Sequence, residues 1–197
     1  MEAWAATSEN NAEMAMLYAK GLVNLSCKQG AEAVSSTVTK LGRLYDASGE
    51  NEAMAALYAK GLVNLSCKQS GETAAEAAEK LERLAESYVG NEEIAVLCGK
   101  GLLNASGEQD AAALVSAANM LDRLSSIFGG NSELKLLYAK VLVNLSARQA
   151  EEEADKTVLK LRQLAGMEEE TQEVQEAQEA WTEEEETDEY RATLDVR

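Results

Sequence analysis

The chain has 197 residues, 46% of them hydrophobic and 5% aromatic, with no Pro, no His and a formal net charge of −17. It holds no uninterrupted apolar run of about 18 residues and no basic-then-apolar amino terminus, so neither a membrane-spanning helix nor a secretory signal is legible, and a cytoplasmic protein is expected. Abundant Ala, Leu, Glu and Lys without Pro favour long helices over sheet, and the expected fold class is all-α.

The strongest pattern is a period of 40. Asn24, Asn64, Asn104 and Asn144 sit in LYAKGLVNLSCKQ, LYAKGLVNLSCKQ, LCGKGLLNASGEQ and LYAKVLVNLSARQ. Self-similarity at a fixed period of 20–50 residues marks an array whose members bury their apolar faces by stacking. The expected architecture is a right-handed α-solenoid of four 40-residue helix-turn-helix repeats, 11–50, 51–90, 91–130 and 131–166, with terminal capping helices.

In chain order, Trp4 falls in the slot later held by Leu44, Leu84, Leu124 and Leu164, so residues 1–8 read as the last turns of a preceding outer helix, a half-helix cap over the core. That truncated start also motivates a rival view, a fragment of a longer array. Each repeat then opens at an Asn in one slot (Asn11, Asn51, Asn91, Asn131), followed within two positions by Glu or Ser, the pattern of an N-cap with negative charge near the positive helix end.

The first helix of each repeat, helix A, is expected to run to about Gln29, Gln69, Gln109 and Gln149. Met14, Leu17, Tyr18, Gly21, Leu22 and Leu25 share one face at helical spacing, and Met16, Val23 and Cys27 lie nearly opposite, so helix A is expected to be packed on two sides. A short polar break leads into helix B. Its apolar slots recur as Val34, Val38, Leu41 and Leu44, as Ala74, Ala78, Leu81 and Leu84, as Leu114, Ala118, Leu121 and Leu124, and as Ala154, Val158, Leu161 and Leu164. With one apolar stripe, helix B is expected outside, and Lys40, Arg43, Lys80, Glu82, Arg83 and Arg123 as a solvated face.

After the fourth repeat, Thr171 holds the cap slot and Val174, Ala177 and Trp181 the slots of Leu134, Leu137 and Val141, which predicts a degenerate capping helix over 168–182 and a disordered tail beyond it. The segment 167–197 is the acidic C-terminal part. It carries 11 Glu, 2 Asp and 2 Arg, a net −11, which leaves −6 for the array. Neither nucleic acid nor an anionic membrane surface fits such a chain.

No catalytic, cofactor-binding or metal site is expected. General acid–base or nucleophilic work needs paired groups in perturbed surroundings, and the chain offers no His, no Cys-x-x-Cys and no phosphate-binding glycine loop after a strand. Cys27 and Cys67 share a slot in adjacent repeats, where helices about 8–10 Å apart exceed the roughly 7 Å reach of a disulfide, and read as small buried residues. Asn-x-Ser recurs at every 40-residue step, but at mid-helix positions unlike the surface loops that accept sugar.

What repeats on the outward side of helix A is a Lys and an Asn four residues apart: Lys20 and Asn24, Lys60 and Asn64, Lys100 and Asn104, Lys140 and Asn144. Residues at i and i+4 share a helix face, so stacking aligns a cationic row beside an amide row. The function expected is a non-enzymatic scaffold that binds a protein or peptide partner, an extended acidic segment on those eight residues. The alternative is a structural or assembly module in which the rows serve internal register.

The helix-turn-helix repeat, with helix A ending in Lys28-Gln29-Gly30 and followed by an Ala- and Leu-rich helix B, resembles the tetratricopeptide repeat, although the family period is 34 and its helix-ending Pro is missing. The LVNLS stretch resembles the inner helix of armadillo repeats, and the period is nearer that of armadillo and HEAT arrays. The armadillo likeness implies an asparagine ladder that holds peptide backbone. The tetratricopeptide likeness, framed on Lys28-Gln29-Gly30, implies a carboxylate clamp at Lys20, Asn24, Asn64 and Lys100, with Asn104 standing where that family has Arg. A frame anchored on Gly21 shifts by two and removes the match.

Overall fold

The computed structural model describes the backbone of residues 2–167 and the side chains of 11–167. The chain divides into two parts, Met1–Leu159 and Lys160–Arg197. The described residues form eight helices and no strand: α1 (Glu2–Lys28), α2 (Ala31–Ala47), α3 (Glu52–Lys68), α4 (Gly71–Ser87), α5 (Glu92–Ala105), α6 (Ala111–Ile127), α7 (Ser132–Ser146) and α8 (Glu151–Leu164). The all-α expectation holds. The Trp4 side chain, the predicted cap over 168–182 with Trp181, and the tail lie outside the described residues.

The helix starts follow from the asparagines. The side chains of Asn51, Asn91 and Asn131 accept from the N–H groups of Met54, Ile94 and Leu134 at 3.0, 2.8 and 2.8 Å, satisfying donors that a helix start leaves open. Asn11, expected to open a helix, instead lies inside α1, which runs unbroken from Glu2. Before Asn51 the chain turns through Gly49 and Glu50 at φ 61° and 60°, and glycine also precedes Asn91 and Asn131, whereas Thr7 to Asn10 offer none to break the helix. Helices α5 and α7 end earlier than their Gln residues. At Ser106 one N–H is shared between the Leu102 and Leu103 carbonyls at 3.0 and 3.2 Å, tightening the last turn before Gly107.

In the first part, the odd-numbered helices contact one another in succession, α1 with α3, α3 with α5 and α5 with α7. Each of α2, α4 and α6 packs against the odd helix before it and the odd helix after it. This pattern is compatible with a solenoid. Equivalent slots match: Leu22, Leu62, Leu102 and Leu142 are buried, and Lys40 and Lys80 are exposed. Leu41 and Leu81 are fully buried, and each lies against a glycine of the following odd helix, where a Cβ on Gly61 or Gly101 would come 2.6 or 2.2 Å from the leucine Cδ1. Leu41 also joins Ala19, Leu22, Met54 and Leu57 in one cluster, and Tyr45 stacks on Tyr58 with ring centroids 5.6 Å apart.

Three expectations fail in packing. Met14, Leu17, Tyr18 and Leu25 of α1 are exposed although α3 buries Met54, Leu57 and Leu65, because no described helix lies where α2 lies for α3. In α8, Val158 is exposed and Thr157 is the buried residue. Cys27 and Cys67 are exposed, since their slot faces outward at the last turn of its helix, and Cys98 is the buried cysteine.

In the second part, the described residues 160–167 are the close of α8 and its exit. Gly166 at φ 67° lets the Ala165 and Met167 N–H groups return to the carbonyls of Leu161 and Arg162 at 3.0 and 3.1 Å, satisfying acceptors a helix end leaves open.

Candidate functional site: the lysine and asparagine rows

The asparagine row forms a chain of bonds between successive odd helices. Asn64 Nδ2 donates to Ser26 Oγ at 2.8 Å and lies 3.2 Å from Cys27 Sγ. Asn104 Nδ2 donates to Ser66 Oγ at 3.0 Å, and Asn144 Nδ2 to Ser106 Oγ at 2.7 Å. Each serine in turn donates to the carbonyl three residues back: Ser26 to Val23, Ser66 to Val63 and Ser106 to Leu103, at 2.7, 3.0 and 2.6 Å. Ser26, Ser66 and Ser106 are buried, so this relay satisfies hydroxyls that would otherwise be costly. Asn24 is exposed and has no such partner among the described residues.

The lysine row is likewise tied across helices. Lys60 Nζ meets Glu93 Oε1 at 2.7 Å and Lys100 Nζ meets Glu133 Oε1 at 2.9 Å, with the two lysine side chains 39% and 40% exposed. Lys20 faces a position where the repeat holds Ala53 in place of an acid, and the corresponding acid for Lys140 would be residue 173, outside the described residues. An open groove of 420 Å³ contains Lys60 and Lys100 together with Glu92, Glu93, Glu133 and Val96. Its lining holds three carboxylates and two ammonium groups, and both ammonium groups are already ion-paired.

Two further rows were not read from the sequence. Lys68 Nζ reaches back to the carbonyls of Ser26, Cys27 and Gln29 at 2.7, 2.7 and 2.5 Å, so a cation from one repeat caps the negative end of the helix before it. Arg148 does the same to Gly107 O at 2.5 Å, while the slot between them holds Glu108. The capping asparagines are also shared: Asn91 Nδ2 donates to Glu52 Oε1 and Asn131 Nδ2 to Glu92 Oε1, both at 2.7 Å. For the asparagine relay, the legible signal was the serine two residues after each row asparagine, repeating at 40 inside a helix, where a hydroxyl needs a reason.

Between α4 and α6 lies a second groove of 450 Å³, lined by Ala78, Ala117, Glu79, Glu82, Gln109 and Asp110. Burial, followed by the charges of Glu86 and Glu79, pushes the Glu82 carboxyl above its usual range, so Glu82 is not the plain solvated residue expected. The Oε1 of Gln109 is buried with no partner among the described residues. Gln29 and Gln149 satisfy the same atom with Thr37 and Thr157 at 2.7 and 2.6 Å, and Ala117 fills the matching slot here.

The clamp implied by the tetratricopeptide likeness is thus divided. Lys20 and Asn24 are exposed, whereas Asn64 is bonded to Ser26 and Lys100 to Glu133. Among the described residues no group of three or more His, Cys, Asp or Glu is arranged to hold a metal ion, and no helix is long and apolar enough to cross a membrane. No protein-family model, no curated protein and no solved structure matches the chain.

Proposed function

We propose that the chain is a non-enzymatic assembly module: a right-handed α-solenoid of four 40-residue repeats, tetratricopeptide- or armadillo-like in plan, whose lysine and asparagine rows hold the register between stacked repeats. The observation that carries this reading is the asparagine relay. Three of the four row asparagines spend their amide donors on the serine of the preceding helix, and the two central lysines are ion-paired to the next helix. Groups so engaged are poor candidates for gripping a ligand. The negative charge argues against nucleic acid and an anionic membrane as partners, and the module is read as working inside the cytoplasm on protein surfaces.

A second reading, an extended acidic segment along helix A, keeps one specific support: Lys20 and Asn24 are both exposed without a partner among the described residues. One experiment separates the two. Asn64→Ala and Asn104→Ala should each lower stability by about 0.5–1.5 kcal/mol, the ordinary worth of a hydrogen bond. Titration with a deca-glutamate peptide should show no saturable binding. Binding that is salt-sensitive and lost in Lys60→Ala/Lys100→Ala, with stability unmoved by the Asn variants, would replace the register reading with the peptide one.

A further inference from the structure

We propose that the chain assembles head to tail with further copies of itself, α7 of one copy receiving α1 of the next, an inference that rests on the assembly reading above. It starts from residues 17–29 and 57–69, which are identical in sequence and differ in surroundings along one face. On α3 the slots of Met54, Leu57, Gly61 and Leu65 are buried, with Leu41 of α2 against Gly61 and Tyr45 stacked on Tyr58. On α1 the same slots are open, with Met14 65% exposed and Leu17 and Tyr18 each 54% exposed. A contiguous apolar face of this kind on a strongly charged chain marks an interaction surface.

The internal duplicate says what fits there. The face of α3 is covered by an odd helix beside it and an even helix behind it, α1 and α2. Among the described residues, the last odd helix, α7, leaves the odd-helix surface open. Leu136 and Val143 of α7 are 55% and 54% exposed, and Val158 of α8, in the slot where Val38 of α2 is buried, is exposed as well.

The polar groups complete the match. Asn24 lacks a serine, and Ser146, the one row serine that is not buried, accepts from no described residue while its hydroxyl donates to Val143 O at 3.0 Å. Lys140 is exposed without an acid among the described residues, and Glu13 is exposed in the slot from which Glu93 and Glu133 hold Lys60 and Lys100. Docking α1 against α7 as α3 docks against α1 would join Asn24 to Ser146 and Glu13 to Lys140. Among the described residues, α1 and α7 therefore carry the unmatched halves of rows that are complete between them. The two surfaces differ, so the contact is heterologous and growth does not close at a dimer.

The test is sedimentation of the full chain over a concentration series. The wild type should show an average mass that rises past that of a dimer. Leu17→Asp blocks one end and Val143→Asp the other, both at exposed positions where circular dichroism should show the helices intact. Each variant alone should be monomeric, and an equimolar mixture should form a 1:1 dimer and nothing larger. Lys140→Glu and Glu13→Lys should each weaken association severalfold, and the two together in one chain should restore it. A wild type that stays monomeric would overturn the assembly while leaving the stability loss of Asn64→Ala and Asn104→Ala in place, so the two failures are distinct. A Val143→Asp chain that associates as well as the wild type, or a mixture that stays monomeric, would overturn it too.

Discussion

Gly21, Gly61 and Gly101 occupy one slot in three repeats, yet replacement by Ala should change stability in opposite directions. A Cβ at Gly21 would meet nothing within 4 Å, whereas at Gly101 it would lie 2.2 Å from Leu81 Cδ1 and at Gly61 2.6 Å from Leu41 Cδ1. Carbon atoms pack at about 3.5–4.0 Å, so Leu81 would have to retreat by more than an ångström. Leu81 is fully buried, so that retreat has to displace packed neighbours. Overpacking of this kind costs about 1–3 kcal/mol, offset by the roughly 0.5–1 kcal/mol that Ala gains over Gly inside a helix. Gly101→Ala should therefore lose up to about 2.5 kcal/mol, and Gly21→Ala should gain about 0.5–1 kcal/mol, with Gly61→Ala nearer Gly101→Ala. For a chain of this size about 1 kcal/mol corresponds to roughly 2–4 °C in Tm, within reach of thermal and urea melts followed by circular dichroism. The melts belong at dilute protein, where α1 is uncovered. A Gly101→Ala chain as stable as the wild type would refute the reasoning, as would a Gly21→Ala chain that melts lower.

Glu108→Lys should raise stability by up to about 1 kcal/mol in a urea melt, because it would complete the row in which Lys68 and Arg148 cap the preceding helix. Cys27 and Cys67 should react with a thiol reagent in the native chain, while Cys98, buried and with its thiol pushed well above the usual range by that burial, should react only on unfolding; mass spectrometry of the labelled sites decides. Glu82 has a raised folded-state pKa, so the folded chain holds its proton more tightly than the unfolded one, and stability falls as pH rises through that range. Glu82→Gln should consequently raise Tm at pH 7, with the gain fading below the ordinary carboxylate range. Tyr138 and Tyr88 are pushed up to about 12, chiefly by burial, with Asp122 beside Tyr138 and Tyr45 beside Tyr88, so their contribution is whole below the usual tyrosine range near 10 and lost as pH climbs toward 12; tyrosinate absorbance should rise late and together with unfolding.

The helical class, the capping asparagines and the apolar slots were legible because each is a local or periodic property. An Asn before an acidic turn caps a helix wherever it stands, provided a glycine precedes it to end the previous one, and Asn11 shows the outcome where that glycine is missing. The lysine and asparagine rows were legible as rows. Their direction was not, because whether an amide points into a groove or at the neighbouring helix depends on which helix lies beside it, and no window of sequence contains that.

Residues 17–29 and 57–69 make the point without any difference in composition. Local propensity, periodicity and side-chain volume are the same at Leu25 and Leu65, at Leu17 and Leu57, and at Cys27 and Cys67. Two of those pairs part company in burial, and the third, at the outer slot, stays exposed in both. What differs is that α3 has both α1 and α2 packed on it from the preceding repeat, so burial here belongs to the stack and not to the repeat. The same holds for the polar rows: an Asn and a Ser, or a Lys and a Glu, are useful to each other only across a junction, and each repeat brings one half to each side. A repeat of this design has unmet groups at whichever face lacks a neighbour, apolar and polar together, and those faces are where a partner gains the most by docking.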